Sequence, residues 1–122
     1  MNWYANLLFA GALILTVSGI GKSQSVIIRL DKPFRAGNLS GFVFAKDGSG
    51  VPAAQVELMG AGWKTVLATR ETNYNGFFRF TLSKAGLYYL RLTARGFQTY
   101  ELKVRVKKGV RFSPKFTLDV AT

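Results

Sequence analysis

Thr72-Asn73-Tyr74-Asn75-Gly76-Phe77-Phe78-Arg79-Phe80, followed by Gly86-Leu87-Tyr88-Tyr89-Leu90-Arg91-Leu92, decides the fold. The run reads as strand, tight turn, strand, turn, strand. Asn75 and Gly76 both tolerate φ > 0, as a twisted two-residue hairpin turn requires. Beyond the turn the apolar residues fall on alternate positions, the period of a half-buried strand and not of a helix.

Outward from this stretch, short apolar segments alternate with turn chemistry. Strands are predicted at Leu39 to Lys46, Ala53 to Met59, Lys64 to Thr72, Phe77 to Leu82, Leu87 to Ala94, Phe97 to Val106 and Val110 to Val120. The breaks between them are Asp47-Gly48-Ser49-Gly50, Gly60-Ala61-Gly62, Asn75-Gly76, Ser83-Lys84-Ala85-Gly86, Arg95-Gly96 and Lys107-Lys108-Gly109. Turn signals every 8–12 residues or so, without a helical period, mean an all-β sandwich or barrel. The expectation is an all-β, seven-stranded, mainly antiparallel β-sandwich with Greek-key character. Phe78, Phe80 and Leu82 share one face, as do Tyr88, Leu90 and Leu92, then Tyr100, Leu102, Val104 and Val106, then Val110, Phe112, Phe116 and Leu118. Each set is expected in the core. Gly48, Asn75, Gly76, Gly86 and Gly96 are the expected turn residues.

The 122-residue chain holds one domain of roughly 100 residues plus an N-terminal appendage. Trp3 to Ile20 carries no charged side chain. Two readings stand. Leu7 to Val17 fits the apolar core of a signal peptide, with Gly21 and Ser23 placed for cleavage before Gln24, although no Lys or Arg precedes it. Alternatively the stretch is a short transmembrane helix, followed by Lys22, Arg29, Lys32 and Arg35, which the positive-inside rule would keep cytoplasmic. The chain thus divides into residues 1–23 (signal peptide or hydrophobic anchor helix), a connector at 24–37 in which Val26 to Leu30 can pair as an edge strand, and a folded domain at 38–122. The first reading exports the domain to periplasm, cell surface or medium. The second anchors it by a single span with the basic domain inside.

Composition excludes several functions. There is no cysteine and no histidine, so disulfides, thiol chemistry, Cys/His metal sites and histidine general-base catalysis are ruled out. Among the acids, only Glu57 and Glu71 are placed to approach across strands, and the surrounding cations favour salt bridges over a paired-carboxylate site. Serine and threonine have no histidine partner, and a Ser–Lys pair has no nucleophile-elbow context. No enzyme is expected. Net charge is +11, and from Arg79 to Lys115 ten basic residues face one acid, Glu101. Such a field either keeps a β protein soluble or attracts an anionic partner.

Residues 39–106 resemble the carboxypeptidase regulatory-like domain, a transthyretin-like (prealbumin-like) β-sandwich. The likeness rests on Leu39-Ser40-Gly41-Phe42-Val43 with the Asp47-Gly48 turn, on Pro52, Ala54, Val56 and Leu58, on Thr72 to Phe80 as the hallmark hairpin, and on Gly86, Tyr88, Leu90, Leu92, Gly96 and Phe97. The resemblance implies a non-catalytic module of the kind found beside peptidase domains, at the N-termini of outer-membrane receptors, or in secreted bacterial proteins as a spacer, adhesion or docking unit. Asn73 and Ala45 stand where the family commonly has Asp, so no Ca²⁺ is expected at those turns. No metal or cofactor is implied.

The residues opposite the core remain. Alternation points Phe77, Arg79 and Thr81, then Tyr89, Arg91 and Thr93, then Glu101, Lys103 and Arg105, then Arg111, Ser113 and Lys115 outward, with Phe42 and Phe44. Exposed aromatics interleaved with cations suit a partner protein or a flat anionic ligand. The candidate partner-binding set is Phe42, Phe44, Phe77, Arg79, Tyr89, Arg91, Lys103, Arg105 and Arg111, with Arg79, Arg91 and Lys103 expected as one stripe. The expected function is a non-enzymatic structural or docking subunit of the bacterial cell envelope, binding another envelope protein or itself through that face or a strand edge. The alternative is an accessory module for carbohydrate, anionic lipid or another anionic surface. Nucleic acid is not expected, because no reading motif is present.

Overall fold

A computed structural model describes residues 27–81 and 84–121; the proposed signal or anchor at 1–23 lies outside them. The described residues are all-β. Nine strands run β1 (Ile27–Arg29), β2 (Phe34–Ala36), β3 (Ser40–Ala45), β4 (Gln55–Met59), β5 (Val66–Glu71), β6 (Phe77–Arg79), β7 (Gly86–Thr93), β8 (Thr99–Val106) and β9 (Lys115–Leu118). They form a six-stranded sheet in the order β1-β8-β7-β4-β5, with β2 also on β8, and a three-stranded sheet in the order β6-β3-β9.

The strand count differs from the expectation, and parallel pairs join the antiparallel ones. Two strands come from the connector: β1 takes the predicted edge position, and β2 forms where Pro33 and Gly37 suggested only a break. The architecture is mixed, because β1 and β2 run parallel to β8 and β9 runs parallel to β3. The β3–β6, β4–β5, β4–β7 and β7–β8 pairs are antiparallel and include the longest ladder, so the pairing is mainly antiparallel as expected. The last strand is also shorter than predicted. Pro114 has no N–H for a ladder, so residues 110–114 stay irregular and regular pairing starts at Lys115.

Face assignments hold well along the long strands. Leu90 and Leu92 of β7, Tyr100, Leu102, Val104 and Val106 of β8, and Val56 and Leu58 of β4 are buried, facing Val43, Phe78, Phe116 and Leu118 of the smaller sheet. Phe80 is buried beyond the end of β6, Tyr88 packs partly buried against this core, and Leu82 lies outside the described residues. Phe112 departs from expectation. It is 58% exposed, because it sits in the irregular segment where strand alternation does not apply.

The Thr72–Phe80 run is a turn, but not a hairpin joining paired strands. β5 pairs with β4 in one sheet, and β6 pairs with β3 in the other. Thr72 makes the crossing: its Oγ1 accepts the Ala54 N–H at 2.8 Å and donates to the Val51 carbonyl at 2.6 Å. The Gly76 N–H then donates to the Asn73 carbonyl, and the Asn73 N–H to the Phe77 carbonyl, both at 2.9 Å. The Asn73 side-chain oxygen accepts the N–H groups of Asn75 and Phe77 at 2.8 and 3.0 Å. Asn73 thus does with an amide what an aspartate would do with a carboxylate. Only Gly76 has positive φ, 83°; Asn75 does not. This is a three-residue loop closed by a left-handed glycine, not a two-residue turn.

Candidate docking surfaces

The candidate residues do not share one face. Phe42, Phe44, Phe77 and Arg79 lie on the three-stranded sheet. Tyr89, Arg91, Lys103 and Arg105 lie on β7 and β8 of the six-stranded sheet, and Arg111 lies in the irregular segment before β9. The expected Arg79–Arg91–Lys103 stripe is therefore split between two sheets. Parity along a strand tells which side a residue takes, but not which sheet the strand joins.

On the six-stranded sheet the outer residues form a ladder across four strands. Arg29 stands opposite Glu101, Glu101 opposite Arg91, and Arg91 opposite Glu57. Arg29 Nε donates to Glu101 Oε1 at 2.9 Å, while Arg91 donates to Glu101 Oε2 from Nε at 3.0 Å and from Nη2 at 2.7 Å. Glu57 approaches Arg91 at 3.8 Å. Trp63, carried by the β4–β5 loop at φ 63°, folds over this row. Its carbonyl accepts from Arg91, its ring lies 5.2 Å from the Arg29 guanidinium, and it meets Tyr89 edge-on at 5.3 Å. Arg91 and Tyr89 are thus already engaged within the chain.

Sequence reasoning placed Glu101 outward but missed its burial, which Arg29 and Trp63 bring from remote segments. Trp63, directly after the glycine-rich Gly60-Ala61-Gly62 turn, was the available signal. An asymmetric result is expected from this network. Arg91→Met should cost about 3 kcal/mol, because it leaves a charged Glu101 only 2% exposed with one guanidinium partner gone. Glu101→Gln should cost less, about 1–2 kcal/mol, because Arg29 and Arg91, 52% and 25% exposed, can turn to water. Guanidinium denaturation of both variants checks the order, and the reverse order would refute it.

The other acids do not form a catalytic pair. Glu57 faces Thr69 on one side and Arg91 on the other, while Glu71 faces Gln55, so the two are not an opposed carboxylate pair. Lys46, 3.1 Å from Asp119, and the Tyr100 hydroxyl, 3.0 Å away, hold the Asp119 carboxyl below its ordinary range. Burial pushes the Tyr100 hydroxyl up. Among the described residues no group of three His, Cys, Asp or Glu side chains could hold a metal ion.

The outer face of the three-stranded sheet is different. Phe42 stands opposite Phe77 on β6 and opposite Lys115 on β9. The Phe42 ring lies 5.8 Å from Phe44, nearly parallel to it, and 5.0 Å from Phe77. The Lys115 ammonium sits 6.0 Å over the Phe44 ring, and exposed Arg79 flanks the cluster opposite Ser40. All three rings remain partly exposed. The solvated face of a sheet is ordinarily polar, so three touching phenylalanines there form an unusual exposed apolar patch.

The carboxypeptidase regulatory-like domain model matches residues 38–119. No curated protein matches the chain. That family is non-catalytic in itself, and with two thirds of its length inside the match, this chain belongs to the carboxypeptidase regulatory-like domain family.

Proposed function

We propose that the chain is a non-enzymatic docking subunit of the cell envelope, and that it holds a partner protein against the outer face of its three-stranded sheet. The observation that carries the reading is the Phe42–Phe44–Phe77 cluster, three contacting rings between the cations Arg79 and Lys115. An apolar centre with a charged rim is the anatomy of a protein interface. The rim favours a partner with acidic residues around its contact. The uncharged Trp3–Ile20 stretch supports an envelope location, by export under the signal-peptide reading and by a membrane span under the anchor reading. The exposed edge of β5, with Val66 and Leu67 open to solvent, offers a second contact by strand addition.

The test is isolation of the native protein from gently solubilised membranes, with its intact mass and co-eluting proteins measured. A stoichiometric partner is expected. Phe44→Asp should weaken that complex about 30-fold or more, as loss of a central aromatic contact does, at a temperature where the isolated variant is still folded. A chain that elutes alone, or a complex indifferent to Phe44→Asp, would overturn the reading.

A further inference from the structure

A second surface lies at one end of the sandwich, and it does not depend on the partner reading. Three segments converge there. Ala36 of β2 and Gly86 of β7 both stand opposite Val106 of β8. The Lys107 N–H donates to the Ala36 carbonyl at 3.0 Å, and the Gly37 N–H reaches the Phe112 carbonyl at 3.4 Å. The Tyr88 hydroxyl donates to the Lys84 carbonyl at 2.8 Å, which ties the β6–β7 connection to the same end.

These segments carry Arg35, Lys84, Arg105, Lys107, Lys108 and Arg111, all exposed. None of the six makes an ion pair among the described residues; the paired cations are Arg29, Lys46 and Arg91. No acidic residue occurs in 32–46, 72–100 or 102–118, and Glu101 is buried between its two arginines. Beside the cations runs an open groove of about 500 Å³ lined by Pro33, Phe34, Phe112 and Pro114, with Arg35 and Lys115 at its rim. Phe112 projects there, 58% exposed.

We propose that this end docks on an anionic phospholipid surface. A cluster of four to eight or so unpaired cations is what such a surface attracts, and the exposed ring and apolar groove require a layer beneath the charge. A bilayer supplies both; a polysaccharide supplies only the charge. A nucleic acid would be met by a series of stacking aromatics, whereas this end offers one exposed ring. Headgroup phosphates are held by Arg35, Lys84, Arg105, Lys107, Lys108 and Arg111 while Phe112 enters the interfacial layer.

The chain has no cysteine, so one introduced thiol reports one position. The full chain carrying Phe112→Cys, labelled with an environment-sensitive fluorophore whose ring replaces the phenyl group, is reconstituted into vesicles. One set is phosphatidylcholine alone and the other contains about a third phosphatidylglycerol. A label at Tyr74→Cys, on the exposed turn of the 72–80 crossing, is the control. A blue shift at position 112 is expected only with phosphatidylglycerol, fading as salt shortens the Debye length, while position 74 stays in water. Arg105→Gln/Lys107→Gln/Lys108→Gln should lower the docked-to-undocked ratio by roughly fivefold per cation at unchanged melting temperature. A position-112 label that stays in water on anionic vesicles at low salt would overturn the proposal. So would a shift indifferent to salt and to the triple substitution, or binding to heparin or an oligonucleotide without any vesicle response.

Discussion

Gly76→Val is expected to destabilise the domain by about 4 kcal/mol, or to prevent folding altogether. Two independent costs combine. Gly76 has φ +83°, a left-handed conformation that a β-branched side chain holds only with strain of about 1–3 kcal/mol. The added Cβ would also lie 2.3 Å from the Val43 carbonyl oxygen and 3.1 Å from the Val51 nitrogen, both backbone atoms that cannot turn aside. Forcing them apart is an overpacking cost of about 1–3 kcal/mol more. It would break the 2.8 Å bond from the Val43 N–H to the Gly76 carbonyl, which ties the turn to β3. Gly48 separates the two causes. Its φ is +90°, but nothing lies within 4 Å of its Cβ position, so Gly48→Val meets the conformational cost alone. Denaturant melts of the two variants check the argument. Equal losses would mean that the close approach at Gly76 contributes nothing.

That turn also marks where the sequence was legible. Asn73, Asn75 and Gly76 carry turn chemistry in their side chains and their freedom of φ, and a turn is what they make. Which strands the turn joins is not written there. Thr72 decides it by binding Val51 and Ala54 across the sheet, a contact between segments about twenty residues apart. The same division runs through the chain. The apolar residues of β7 and β8 fall on alternate positions, so Leu90, Leu92, Tyr100, Leu102, Val104 and Val106 are readable as core, and buried Glu101 is the exception. The parallel neighbours of β8, β1 and β2, have three residues each, too few to show a period.

The candidate face was legible residue by residue and not as a surface. Phe42, Phe44 and Phe77 come together because β3 and β6 are neighbours. Arg91 parts from them because β7 pairs with β4 and β8 instead. The basic end was visible only as an excess of charge between Arg79 and Lys115. Its concentration in space depends on the β2–β8 pairing, which brings Arg35 beside Arg105.

Phe78→Ala is expected to cost about 3–5 kcal/mol, the range for truncating a buried phenylalanine. Phe78 is 2% exposed, stacks at 6.1 Å on Phe116 and meets Phe80 edge-on at 6.2 Å. Its neighbour across the β3–β6 pair is Gly41, which has no side chain to fill the space the ring leaves. A Cβ at Gly41 would lie 3.1 Å from two Phe78 ring carbons and 2.6 Å from a Phe116 ring carbon. Glycine at position 41 is therefore what admits both rings to the core face of the smaller sheet. The consequence is a coupling that simple additivity does not contain. Gly41→Ala alone should cost about 1–3 kcal/mol by overpacking. In the Phe78→Ala background the Phe116 ring can shift into the vacated volume, so the same change should cost at least about 1 kcal/mol less. A double-mutant cycle by guanidinium denaturation measures the difference. Additive losses, or a small loss for Phe78→Ala alone, would mean that the aromatic stack is not the centre of this sheet's packing.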